Sequence, residues 1–145
     1  MSALLALAAL ASSASQCADP ATAPAEVERT IHAFFAALRS EDKAPFERVT
    51  TKGFYAFDVG ARFPGSTLVE AVTGALAEGR EIVWSLGPLD TQVRCDVAWA
   101  QWENVGSAGM PGEVKPVRWL ESAVLVHEDG TWKLDFFHSQ RAKAE

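Results

Sequence analysis

The amino-acid sequence predicts an α+β domain in which N-terminal helices pack on a strongly curved antiparallel sheet. Three observations lead there. Helix-periodic apolar stripes are confined to residues 26–79, and from Glu81 onward the chain is strand-like. The chain also closes on its strongest hairpin signal, with Arg118–His127 and Thr131–His138 flanking Asp129-Gly130.

From Glu26 to Ser40 the apolar positions Val27, Ile31, Phe34, Phe35 and Leu38 form one helical stripe. Pro24, Glu26 and Glu28 suit its first turn, where a missing N–H does no harm and negative charge is favoured. Pro45 can open a second, short helix, and Phe54–Phe57 reads as a strand bounded by Gly53 and Gly60. Ser66 and Thr67 can cap a third helix, with Glu70 as a capping-box partner and Gly79 as its stop. Its buried stripe is Val69, Val72, Ala75 and Leu76. Strands are expected at 81–86 and 91–103, followed by a Gly/Pro loop from Gly106 to Pro116 and the closing hairpin. A curved sheet wrapped over the long first helix encloses a cone-shaped cavity.

Composition narrows the function classes. The chain has 145 residues, 48% of them hydrophobic, which fits one domain with a real core. Its net charge of -6 argues against a nucleic-acid partner, which requires a basic stripe. No stretch reaches the roughly 18 apolar residues that span a bilayer. The apolar run Ala3–Ala11, followed by the small and polar Ser12–Cys17, resembles a secretory signal peptide, although no Lys or Arg precedes it. The reading is therefore a leader at 1–16, a linker at 17–25 and a domain at 26–141, in a periplasmic or secreted protein. Gln16 and Ala14 do not suit lipidation of Cys17. Because Cys17 lies on a terminal segment expected to be mobile, Cys95 is expected to be buried and unpaired.

Alternation along the last strand puts Trp132, Leu134, Phe136 and His138 on one face, an apolar wall ending in an imidazole. The partner of His138 depends on the turn. A two-residue Asp129-Gly130 turn places Glu121 opposite it, and a three-residue loop places Leu120 there. Asp58 follows Phe54-Tyr-Ala-Phe57, so its carboxyl is expected to lean against aromatic surface and titrate high, as a general base does; otherwise it caps a turn before Gly60. His138 suits a proton shuttle or a hydrogen-bond donor, or a ring satisfied by a neighbouring strand. Arg62, Arg94 and Arg118 could orient an anion, but strand arginines more commonly face solvent. Trp102 and Trp119 could lie on the outer sheet face, where a dimer would bury them. No metal-ligand spacing, phosphate-binding glycine loop or nucleophile elbow is present, and no cofactor is implied.

Three stretches give the chain a family likeness: Phe34-Phe-Ala-Ala-Leu-Arg-Ser-Glu-Asp42, Phe54-Tyr-Ala-Phe-Asp58, and Asp129-Gly-Thr-Trp-Lys-Leu with His138-Ser139. Together with the element order they resemble the nuclear transport factor 2-like superfamily, which includes ketosteroid isomerases and SnoaL-like cyclases. The resemblance covers residues 25 to 140. It implies a cone fold, a homodimer through the sheet, and a pocket lined by Phe34, Tyr55, Trp132 and Phe136, with Glu121, Asp58 and His138 as polar features. It places the family's catalytic base on Asp58 and its oxyanion-binding tyrosine on Phe34, which has no hydroxyl. The family's second donor, a protonated acid, falls near Ser122, one position from Glu121.

Three functions follow as expectations. The first is an exported binding domain for a small apolar or partly polar molecule. The second is an acid–base isomerase, cyclase or dehydratase with Asp58 as base. The third is a non-catalytic association module.

Overall fold

A computed structural model describes residues 17–143. The leader reading for residues 1–16 lies outside the described residues. In chain order the elements are α1 (Ala23–Ala37), α2 (Ala44–Val49), β1 (Thr50–Asp58), β2 (Ala61–Pro64), α3 (Thr67–Ala77), β3 (Glu81–Val83), β4 (Asp90–Arg94), β5 (Val97–Gly109), β6 (Lys115–Glu128) and β7 (Thr131–Arg141). All three expected helices form, and α1 begins three residues earlier, inside the expected linker. No helix among the described residues is long and apolar enough to cross a membrane. The capping box does not form: Ser66 makes no side-chain cap, the Thr67 hydroxyl donates to the Pro64 carbonyl, and Glu70 pairs with Lys43.

The strands make one curled sheet in the order β2-β1-β7-β6-β5-β3, with β4 also paired to β5. Every pairing is antiparallel except β1 with β7, which is parallel and so corrects the expectation of a wholly antiparallel sheet. The stretch read as one strand at 91–103 is two, folded back at Cys95-Asp96, and β5 runs on through the expected Gly/Pro loop to Gly109. Cys95 takes a positive φ of 57° at that tight turn.

Cys95 is not free. It forms a disulfide with Cys17, 78 residues away, and the Ala18 N–H donates to the Cys95 carbonyl beside it. The unpaired reading fails because the segment before α1 is held down: Ala18 is part of the core, as is Ala23 where α1 begins.

The concave face of the sheet is lined by small residues: Ala56, Ala98, Ala100 and Ala123 are almost fully buried. Their size admits the rings of α1. Phe34 packs against Phe35, Phe46, Phe54 and Phe137, and Phe35 against Trp84, Trp102 and Phe137. Large rings over small strand residues are what close packing requires. Phe34 is therefore a core residue, 0% exposed, and not the pocket lining the resemblance implied.

Candidate functional site

The closing hairpin decides which side chains share a face. Asp129 and Gly130 have φ of 52° and 77°, the positive values of a two-residue type I′ turn, and His127 pairs with Trp132 as that turn requires. Farther along, Leu125 pairs with Leu134 but Val124 with Phe136. Asp135 is thus an extra, bulged residue, and its carboxylate accepts a hydrogen bond of 2.7 Å from the Thr51 hydroxyl. Beyond a bulge the alternation inverts. Trp132 and Leu134 point inward with Phe137 and Ser139, while Phe136 and His138 are only half-buried on the other face. The single-face wall from Trp132 to His138 therefore does not exist. Ser122, neither Glu121 nor Leu120, stands opposite His138.

The convex face collects the displaced aromatics. Tyr55, Phe57 and Phe136 form a ring cluster with centroids 5.0 to 5.6 Å apart, and the Arg62 guanidinium lies 4.1 Å above the Tyr55 ring. Trp99 is exposed on this face beneath Arg94. Trp102 and Trp119, considered for the same face, are buried on the other one. Arg118 lies 3.8 Å from Glu103.

Inward-facing residues at the ends of β1 and β7 make the site. Phe57 pairs with His138, so Asp58 and Ser139 follow one residue on, in step with the buried Ala56 and Phe137. Ser139 pairs with Glu121 on β6, and Glu121 with Trp102 on β5. Asp58, Ser139, Glu121 and Trp102 thus form one row across four strands. Stretches 57–60 and 138–141 line a cavity of about 390 Å³, so Asp58 and His138 do open onto a common space.

Glu121 is only 5% exposed. Its Oε2 accepts from the Trp102 indole N–H at 2.7 Å and the Asn104 amide at 3.1 Å, and its Oε1 lies 3.0 Å from the Ser139 hydroxyl. Asn104 is itself oriented by the Ser85 N–H, which donates to its Oδ1 at 2.8 Å. Burial pushes the Glu121 carboxyl up to about 7, against the three donors, and the Asp58 charge adds to the rise. Burial also raises Asp58. The Val59 N–H, donated to its Oδ1 at 2.8 Å, opposes that rise, as do the charges of Arg141 and His138.

Of the sequence candidates, Asp58 and His138 line this cavity, and Glu121 lies behind it, against Ser139. Trp132 lies buried toward the hairpin, Tyr55 and Phe136 face outward, and Phe34 sits in the core. Trp102, Asn104 and Ser139 were missed. Asn104 carried a signal: in the inward series Ala98, Ala100, Trp102, Asn104 it is a lone amide on an otherwise apolar face. Among the described residues no group of three or more His, Cys, Asp or Glu is placed to hold a metal.

Comparison with solved structures identifies the fold as that of the nuclear transport factor 2-like superfamily. A structure from Streptomyces avermitilis, described as a candidate dehydratase of the NTF2-like family, matches with a TM-score of 0.72 at 17% identity, over 87% of this chain and all of that one. A ketosteroid isomerase-like protein from Erwinia carotovora matches with a TM-score of 0.64 at 16% identity, over 83% of this chain and 96% of that one. The association domain of CaMKII from C. elegans gives 0.66 at 13% identity, over 83% and 96%. No protein-family model and no curated protein matches the sequence.

Proposed function

We propose that this domain binds a small, partly polar molecule at the end of the cone and transfers a proton on it, with Asp58 as base and Glu121 as the neutral acid. One observation carries the reading: a deeply buried carboxyl, held by three hydrogen-bond partners, in the same inward row as a second carboxyl at a cavity. Burying Glu121 without a cation is costly. Two carboxyls raised by burial to different degrees are the usual means of running acid and base chemistry together near neutrality. Asp58 removes a proton from carbon beside a carbonyl, and the acid stabilises the charge that develops on the oxygen. The missing tyrosine at Phe34 leaves Glu121 as the principal donor, which fits an isomerase, cyclase or dehydratase of modest power. The fold neighbours described as ketosteroid isomerase-like and as a candidate dehydratase agree with this class.

The test is solvent-deuterium uptake at the α-carbon of small ketones and lactones, followed by NMR. Catalysed uptake that Asp58→Asn abolishes and Glu121→Gln reduces supports the reading. Saturable tryptophan quenching without uptake indicates a binder, and neither response indicates an association module.

Two further features of the reading concern assembly and compartment. The convex face exposes Phe57, Val97, Trp99, Val105 and Leu120, which suits a homodimer through the sheet, and the fold is shared with an association domain. Leu120→Glu is expected to halve the sedimenting mass without unfolding the domain. The Cys17–Cys95 disulfide suits an oxidising compartment, in keeping with export. Mass spectrometry of protein recovered from the periplasm or the medium tests it, a chain starting near Cys17 being the expected result.

A further inference from the structure

The Glu121 site dictates where its proton sits. Oε2 faces two N–H donors, the Trp102 indole and the Asn104 amide. An indole nitrogen can only donate, and Asn104 cannot usefully turn its amide because its Oδ1 is engaged by the Ser85 N–H. A proton on Oε2 would therefore point at other hydrogens. The neutral carboxyl must carry its proton on Oε1, aimed at Ser139 Oγ 3.0 Å away. The Ser139 hydroxyl then accepts, and its own hydrogen has to turn elsewhere. Ser139 lines the cavity that holds Asp58, while the flanking inward residue Phe137 is apolar.

We propose that Ser139 is the proton conduit between Glu121 and the cavity. It accepts the Oε1 proton of Glu121 as its own hydroxyl proton passes to an acceptor oxygen held beside Asp58. One proton enters the hydroxyl and one leaves, so serine ends unchanged, Glu121 ends as carboxylate, and the ligand oxygen ends protonated. The return step reverses each transfer. Ser139 thereby sets a ligand requirement: an acceptor oxygen, carbonyl or enolate, within reach of a hydroxyl that alternates between donor and acceptor. The groups facing Glu121 are Trp102 and Asn104 from β5, Ser139 from β7 and, along the row, Asp58 from β1. The inference rests on the acid role of Glu121 proposed above.

The test needs no ligand. The Trp102 indole N–H resonance, assigned by its loss in Trp102→Phe, reports the charge on Glu121 through their direct hydrogen bond. Its line shape near the titration midpoint gives the rate at which Glu121 exchanges its proton with solvent. Ser139→Ala is expected to slow that exchange by roughly tenfold or more, and Ser139→Thr, which keeps the hydroxyl, to restore it. Should Ser139→Ala fail to fold, Ser139→Cys offers a similar volume with a poor hydrogen-bonding group and the same expected slowing. Exchange as fast in Ser139→Ala or Ser139→Cys as in the unaltered protein overturns the conduit while leaving the acid role standing. A Trp102 resonance that does not move between pH 5 and 9 overturns the acid role itself.

Discussion

Glu121 and Ser139 stand opposite each other on β6 and β7 because of one extra residue, Asp135. Without that bulge the two-residue turn would set Glu121 against His138, a carboxylate beside an imidazole. The bulge exchanges the imidazole for a hydroxyl and moves His138 to the other face of its strand. An insertion of one residue thus changes the chemistry of the site from an ion pair to a neutral hydrogen-bonded chain.

The buried acid predicts the sign of the pH dependence of stability. In the unfolded chain Glu121 ionises near 4.5, whereas in the folded protein it holds its proton to about 7. Between those values the folded state binds more protons, so stability falls as pH rises, by roughly 3 kcal/mol in total from this group. Glu121→Gln mimics the neutral acid. Urea unfolding at pH 4.5 and pH 8 is expected to show the variant close to the unaltered protein at the lower pH and clearly more stable at the higher one.

Reduction of the Cys17–Cys95 bond releases a loop with a sequence separation of 78 residues. The chain-entropy model assigns such a loop about 4.5 kcal/mol, and a terminal segment that detaches locally loses less. Thermal unfolding with and without reductant, and of Cys95→Ser, is expected to show a lower midpoint. The near-neutral-pH fold should persist, since the aromatic core lies elsewhere.

Two phenylalanines that the sequence treats alike should behave differently. Phe34→Ala empties a site ringed by four other phenylalanines and should cost about 3–5 kcal/mol. Phe136→Ala removes a half-buried ring from the convex face and should cost markedly less in the isolated domain. Equal losses in denaturant titrations would contradict the assignment of faces.

Gly106 permits the pairing of β3 with β5. A Cβ there would lie 1.9 Å from the Val83 carbonyl oxygen, a backbone atom that cannot give way without moving the strand. Gly106→Ala is expected to detach β3, exposing the Val83 amide, which faces β5, to hydrogen exchange, with an overall loss above about 1 kcal/mol.

Much of the fold was readable because its signals are local. The α1 stripe, the helix at Thr67 and the Asp129-Gly130 turn each depend on residues close in sequence. The site was half readable. Asp58 could be found from its aromatic neighbours and the strand end, and Glu121 could be narrowed to one of two registers. The remainder depended on contacts between distant segments. The bulge at Asp135 is held by Thr51, and the orientation of Asn104 is set by Ser85. The anchoring of Cys17 depends on Ala18 packing into a core built by residues far along the chain. Alternation extrapolated from Trp132 to His138 was sound for three residues and inverted afterwards, because no local rule announces a bulge whose support comes from another strand.

The parallel pairing of β1 with β7 joins residues about eighty positions apart, Tyr55 to Phe136 and Phe57 to His138. A chain emerging from the ribosome can form its helices and the β5–β6 ladder early, yet β1 has no inner neighbour until the last eleven-residue strand is free. Loop closure over that distance is slow. Until it happens, the row from Asp58 to Trp102 is open and Glu121 is wetted. Birth of the acid and the docking of β7 are then one event, and a protein lacking β7 would keep its helices while its chemistry was never assembled.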